Sequence, residues 1–137
     1  MRFMMLMYPG AKGEAPSLPD PKAIAAMTKY NEDLAKAGVL LALDGLQPTS
    51  KGARVRFPKG GKPVVIDGPF AESKELVGGY WMIQVKSKEE AVEWARRCPA
   101  SDDETIEVRQ VFELSDFTNI SPELAADAAA VGKKISK

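Results

Sequence analysis

The sequence predicts an α+β domain with the element order β-α-β-β-α-β and an extra β-hairpin inserted between the second and third core strands. Three observations carry that reading. Short apolar or alternating runs recur at Arg2 to Tyr8, Val39 to Leu43, Tyr80 to Val85 and Thr105 to Leu114. Two helix starts stand between them, at Asp20-Pro21 and at Ser87-Lys88-Glu89-Glu90. Arg54-Val55-Arg56-Phe57 and Val64-Val65-Ile66 flank Pro58-Lys59-Gly60-Gly61-Lys62-Pro63, a glycine-containing hairpin loop.

Taken in order, Arg2 to Tyr8 is almost continuously apolar, which predicts a strand buried on both faces. Asp20 can cap a helix with Pro21 at its first position, and Ile24, Met27, Leu34 and Ala35 supply the apolar stripe before Gly38 ends it. Val39 to Leu43 reads as a second buried strand running into Asp44-Gly45-Leu46, a turn or bulge signal. In Tyr80 to Val85, Tyr80, Met82 and Gln84 alternate with Trp81, Ile83 and Val85, so both faces carry bulk. The capping box at Ser87 starts a helix whose buried side is Ala91, Trp94, Ala95 and Cys98, and Pro99 stops it. The last strand places Ile106, Val108 and Phe112 on one face and Glu107, Arg109, Val111 and Glu113 on the other. A short helix is predicted over roughly 122 to 131, within a tail from 116 to 137 that follows a domain of residues 1–115.

This order is a ferredoxin-like α+β plan, with both helices on one side of the sheet. The opposite side of three apolar strands would then expose more apolar surface than a soluble monomer tolerates, so a homodimer with its sheets face to face is expected.

Composition narrows the function. At 137 residues the chain is one domain, and its 19 basic and 19 acidic residues cancel, which disfavours nucleic acid as a direct partner. No apolar run approaches the length of a membrane span, and the Phe3 to Met7 run is too short for a secretory leader. The lone Cys98 fits a reducing, cytoplasmic setting. With no histidine and one cysteine, a His/Cys metal site cannot be assembled; a carboxylate site for a hard cation stays open but has no spacing signature, since Asp102-Asp103-Glu104 lacks the pattern of a calcium loop, and no glycine-rich phosphate loop precedes a helix, so no metal and no cofactor are expected.

The densest chemistry lies in Asp67-Gly68-Pro69-Phe70-Ala71-Glu72-Ser73-Lys74-Glu75. Val64-Val65-Ile66 delivers Asp67, and Gly68-Pro69 restricts the backbone just after it, so the carboxylate is held in place. Asp67 either closes a turn or serves a site. This motif, followed by Gly79, resembles the signature of the YCII-related DGPF family. The apolar first strand, the segment Ala91 to Pro99 and Glu107-Val108-Arg109 fall in the order that family shows. The likeness covers about residues 1 to 115. It departs at Gln110, where the family usually has proline after the arginine. It implies a dimeric α+β barrel, and it implies an extracytoplasmic-function sigma factor as a possible partner, because genes of the family often neighbour those for such factors. Some relatives eliminate chloride from, or isomerise, small ring-derived acids and lactones using an aspartate and a histidine; this chain supplies only the aspartate.

Two classes of function follow. The first is a dimeric small-molecule-binding or regulatory module in which Arg109 offers its planar fork to a ligand carboxylate, unless it is spent on a structural ion pair with Asp67 or Glu107. Tyr8, Asp44, Glu72 and Lys74 are the further candidate ligand-binding residues. The second is a cofactor-independent lyase or isomerase in which Asp67, desolvated in the cleft, is the catalytic acid/base on a small carboxylic acid or lactone. A third reading makes the motif a structural staple with Phe70 plugging the core. The absence of histidine tips the balance toward the binding module.

Overall fold

The structure, a computed structural model, describes residues 1–10, 14, 18–71 and 75–135. The chain runs β1 (Arg2–Tyr8), α1 (Pro21–Lys36), β2 (Leu40–Gly45), β3 (Ala53–Arg56), β4 (Val64–Asp67), β5 (Gly79–Gln84), α2 (Lys88–Arg96), β6 (Thr105–Gln110) and α3 (Pro122–Lys133). Four strands form one sheet in the order β2-β5-β1-β6, with every neighbouring pair antiparallel, and β3 and β4 pair separately. The result is α+β and compatible with the ferredoxin-like plan.

Alternation along the central strands divides the sheet into two faces. Phe3, Met5 and Met7 of β1 and Trp81 and Ile83 of β5 are buried with Tyr30 and Leu34 of α1 and Ala91 of α2. Tyr30 crosses Trp81 edge to face at 5.8 Å and donates from its hydroxyl to the Trp94 carbonyl at 2.7 Å. The Trp81 indole donates to Asn31 Oδ1 at 2.8 Å. Each of the large apolar side chains in this cluster contributes about 1.5–3 kcal/mol by leaving water, and the polar ends of the aromatics are satisfied inside it.

The helix ends follow the local chemistry. Asp20 accepts from the Lys22 amide at 3.0 Å with Pro21 beside it, and Ser87 accepts from the Glu90 amide at 3.1 Å. Gly38, at φ +74°, takes the left-handed turn that releases the chain from α1. Cys98 is half-buried among the partly covered side chains against the core, and burial pushes its thiol up to about 11.

Several expectations change. β1 is buried on one face only; Met4 and Leu6 on the other are half-covered, because both helices lie on the opposite side. β2 is largely exposed because it is an edge strand, and its irregularity falls between Leu40 and Ala42 while Asp44 and Gly45 stay paired. In α1, Tyr30 joins Leu34 as the buried anchor, whereas Ile24 and Ala35 face water. The last strand stops at Gln110, short of Leu114, because the Glu113 side chain turns to Arg2 and its amide donates to Asp116 Oδ2 at 2.7 Å. Phe112 thereby leaves the core, 72 % exposed, and stacks obliquely on Phe117 at 5.0 Å.

Ile83 is fully buried, so Ile83→Ala lowers the unfolding free energy by about 2–5 kcal/mol in urea titration. The raised Cys98 thiol predicts that its alkylation rate, followed by mass spectrometry, keeps climbing roughly tenfold per pH unit past pH 9 instead of levelling there.

Candidate functional site

The side of the sheet away from the helices is built from the alternate residues of the same strands. Strand register sets Asp44 opposite Tyr80, Tyr80 opposite Leu6, and Leu6 opposite Glu107, one row across all four strands. The neighbouring row reads Ala42, Met82, Met4, Arg109. An apolar centre of Ala42, Met82, Met4 and Leu6 thus lies between two polar margins.

At the β6 margin Glu107 is the hub. Its Oε1 accepts from the Tyr8 hydroxyl at 2.9 Å and its Oε2 accepts from Arg109 Nη1 at 3.0 Å. Arg109 and then Tyr8 hold the Glu107 carboxyl below its ordinary 4.5, while the Tyr8 phenol, bonded to an anion, is raised above its ordinary 10. Arg109 uses one of five donors on Glu107 and its side chain remains 69 % exposed, so it can meet a second anion. At the β2 margin the Tyr80 hydroxyl donates to Asp44 Oδ2 at 2.8 Å, and this bond likewise raises the phenol. Below Arg109, the Arg2 guanidinium grips Glu113 through Nε at 2.7 Å and Nη2 at 3.2 Å.

The motif that dominates the sequence sits elsewhere. Asp67 ends β4, paired with Ala53 of β3, and is exposed. Gly68 is a packing necessity: a Cβ there would come within 1.7 Å of the Thr49 carbonyl oxygen. The Gly68 amide donates to the Gly52 carbonyl at 3.0 Å and the Phe70 amide to Thr49 Oγ1 at 3.1 Å. Glu14 closes the assembly by accepting from the Thr49 amide at 2.7 Å and the Thr49 hydroxyl at 2.8 Å. Arg54 lies over the Phe70 ring at 3.9 Å, so Phe70 belongs to the hairpin and lies outside the buried core cluster.

Of the residues singled out from sequence, Tyr8 and Arg109 meet around Glu107, and Asp44 lies on the same face at its far margin. Asp67 stands on the separate hairpin sheet, and within one chain it lacks the desolvation that a general base would need. Glu72 and Lys74 lie outside the described residues. Tyr80 was not anticipated as a site residue; its signal is the alternation that sets Tyr80 and Met82 on one face. Among the described residues no cluster of three or more carboxylate or thiol groups is placed to hold a metal ion, and no helix is long and apolar enough to cross a membrane.

The model of the YCII-related domain matches residues 1–115, most of the chain. The chain belongs to the YCII-related family. It is also similar to an uncharacterized protein of Rhizobium meliloti (strain 1021), 34% identical over 77 residues, which is 56% of this chain and 61% of that relative's length. Less than two thirds of the relative is therefore spanned. The YCII-related match takes in β1 through β6, and so the whole of the margin pairs above.

Two predictions follow from the margins. All three tyrosines are raised above 10, Tyr30 by burial, so spectrophotometric titration finds no phenol ionising at the ordinary midpoint, and Glu107→Gln brings Tyr8 back toward it. Glu107 and Glu113 are both held below 4.5 in the folded protein, so they add stability above that pH and the addition fades as pH falls through the depressed values. Melting scans of Glu107→Gln between pH 7 and 2 accordingly show a shallower acid loss than wild type.

Proposed function

We propose that this protein is a dimeric small-molecule-binding or regulatory module whose ligand is a small carboxylic acid held at the helix-free face of the sheet. The observation that carries the reading is the Tyr8–Glu107–Arg109 cluster at the rim of an apolar centre: a cationic fork with donors to spare beside half-covered Met4 and Leu6. Apolar lining with a few convergent polar groups is the usual make-up of a ligand site. Two copies related by a two-fold axis and packed face to face would cover the apolar centre and turn an open surface into a cavity. The YCII-related membership supports this assembly through the barrel that the family resemblance implies. An extracytoplasmic-function sigma factor as protein partner rests on that resemblance alone, and a cytoplasmic setting on the lone cysteine.

A cofactor-independent lyase or isomerase is the second reading. It draws on the Tyr8 hydroxyl, which donates a hydrogen bond to Glu107 beside Arg109 and gives a histidine-free chain a proton-bearing group at the same face. Asp67 would supply the base.

Thermal melting of wild type, Arg109→Gln and Asp67→Asn against a panel of small carboxylic acids and lactones separates the readings. A ligand at 100 times its Kd adds about 2.7 kcal/mol, a readily measured rise in Tm. The rise is lost in Arg109→Gln if the guanidinium anchors the ligand; conversion of the same compound, lost in Asp67→Asn and seen by mass spectrometry, marks the enzyme. No shift with any compound sinks the carboxylate site.

A further inference from the structure

We infer that the β3–β4 hairpin is an arm that lies across the helix-free sheet face of a second copy of the chain and brings its Asp67 to the partner's Arg109. The inference rests on the two-fold dimer proposed above and refines it: the layer lying directly on each apolar centre is the partner's hairpin, held between the two facing sheets, so each site is built from both copies.

All eight residues of β3 and β4 are exposed in one chain. An isolated two-stranded hairpin is at best marginally stable in water, so its apolar face needs a surface to lie on. Register sets Val55 opposite Val65 and Ala53 opposite Asp67, which puts these four on one face of the hairpin. Val55 and Val65 are 52% and 64% exposed, and Phe57 just beyond β3 is 77% exposed. The other hairpin face carries Arg54 and Arg56 beside Ile66 and Val64, which at 41% and 39% are more covered than Val65 and Val55, and Arg54 is occupied over Phe70.

The dimensions of the two surfaces agree. Strands advance about 3.3 Å per residue and neighbouring strands lie about 4.8 Å apart. From Asp67 to Val65 is therefore about 7 Å and to Val64, where β4 begins, about 10 Å, while β6 to β2 is about 14 Å. With the hairpin laid across the strands and Asp67 over β6, Val65 and Val55 cover Met4 and Met82, and the loop of residues 58–63, which carries Lys59 and Lys62, extends toward the β2 margin. Charge selects this direction. Asp67 then meets Arg109, whereas the reverse direction sets Asp67 against Asp44. The combined site holds Tyr8, Glu107 and Arg109 from one copy and the acid/base candidate Asp67 from the other.

The test is a charge swap in trans. Asp67→Arg and Arg109→Asp are purified separately, each expected to weaken its own dimer at least tenfold in sedimentation, then mixed and weighed by native mass spectrometry. A mixed dimer satisfies both contacts, one reversed and one native, so the variants should pair with each other well beyond the random half. In a Cys98→Ser background, Val65→Cys and Met82→Cys chains should also join by an intermolecular disulfide, which a Val92→Cys chain, on the helix side, does not form with Val65→Cys. Wild type sedimenting as a 14.8 kDa monomer overturns the dimer itself. A wild-type dimer whose variants pair at random and form no Val65–Met82 link overturns the arm and leaves the dimer standing.

Discussion

Both helices pack on one side of a four-stranded sheet, and the rest of the molecule depends on that one-sidedness. Phe3, Met5 and Met7 are drawn under the helices together with Trp81 and Ile83. With a residue period of two, the same hydrophobic force that fixes those positions turns Met4, Leu6 and Tyr8 to the other side. The core and the candidate site are thus alternate teeth of one strand. A slip of one residue in β1 would exchange them, so the buried half of the strand keeps the register of the half that lines the open face.

Polar groups on the open face are arranged as local pairs rather than one network. Glu107 gathers Tyr8 and Arg109 at one margin, Asp44 takes Tyr80 at the other, and apolar side chains separate them. Each phenol donates a hydrogen bond to a carboxylate and keeps its proton, which fixes its orientation without burying a charge. Exposed ion pairs of this kind contribute little to stability. Their value lies in direction: they hold donors at defined heights above an apolar floor.

Much of this was legible in the residues, for physical reasons that differ by element. Asp20-Pro21 and Ser87 with Glu90 are short-range signals whose geometry is decided within one helical turn; the Asp20 cap forms as read, and of the capping box the Ser87 side chain makes its half by accepting from the Glu90 amide. The strands of the hairpin follow from β-branched runs around a glycine turn. Failures came where tertiary position overrides local pattern. Nothing in Val39 to Leu43 says that β2 is an edge, and the end of β6 is set by the Arg2–Glu113 pair, between residues 111 positions apart. Of the candidate site, Arg109 and Tyr8 stand out singly in the sequence, but their meeting through Glu107 requires the β1–β6 register. Asp67 drew attention by its motif, while the structure explains Gly68 and Phe70 of that motif by contact with Thr49.

The Glu14–Thr49–Phe70 chain of hydrogen bonds has one more consequence. It fastens the root of the hairpin to a residue that precedes α1 in sequence, so the hairpin's angle is held from outside the sheet that bears Arg109. Under the arrangement inferred above, the molecule has two separately adjustable halves, a receptor surface and an adaptor. Lengthening, shortening or recharging the adaptor would retune what the surface can accept while leaving the hydrophobic interior untouched.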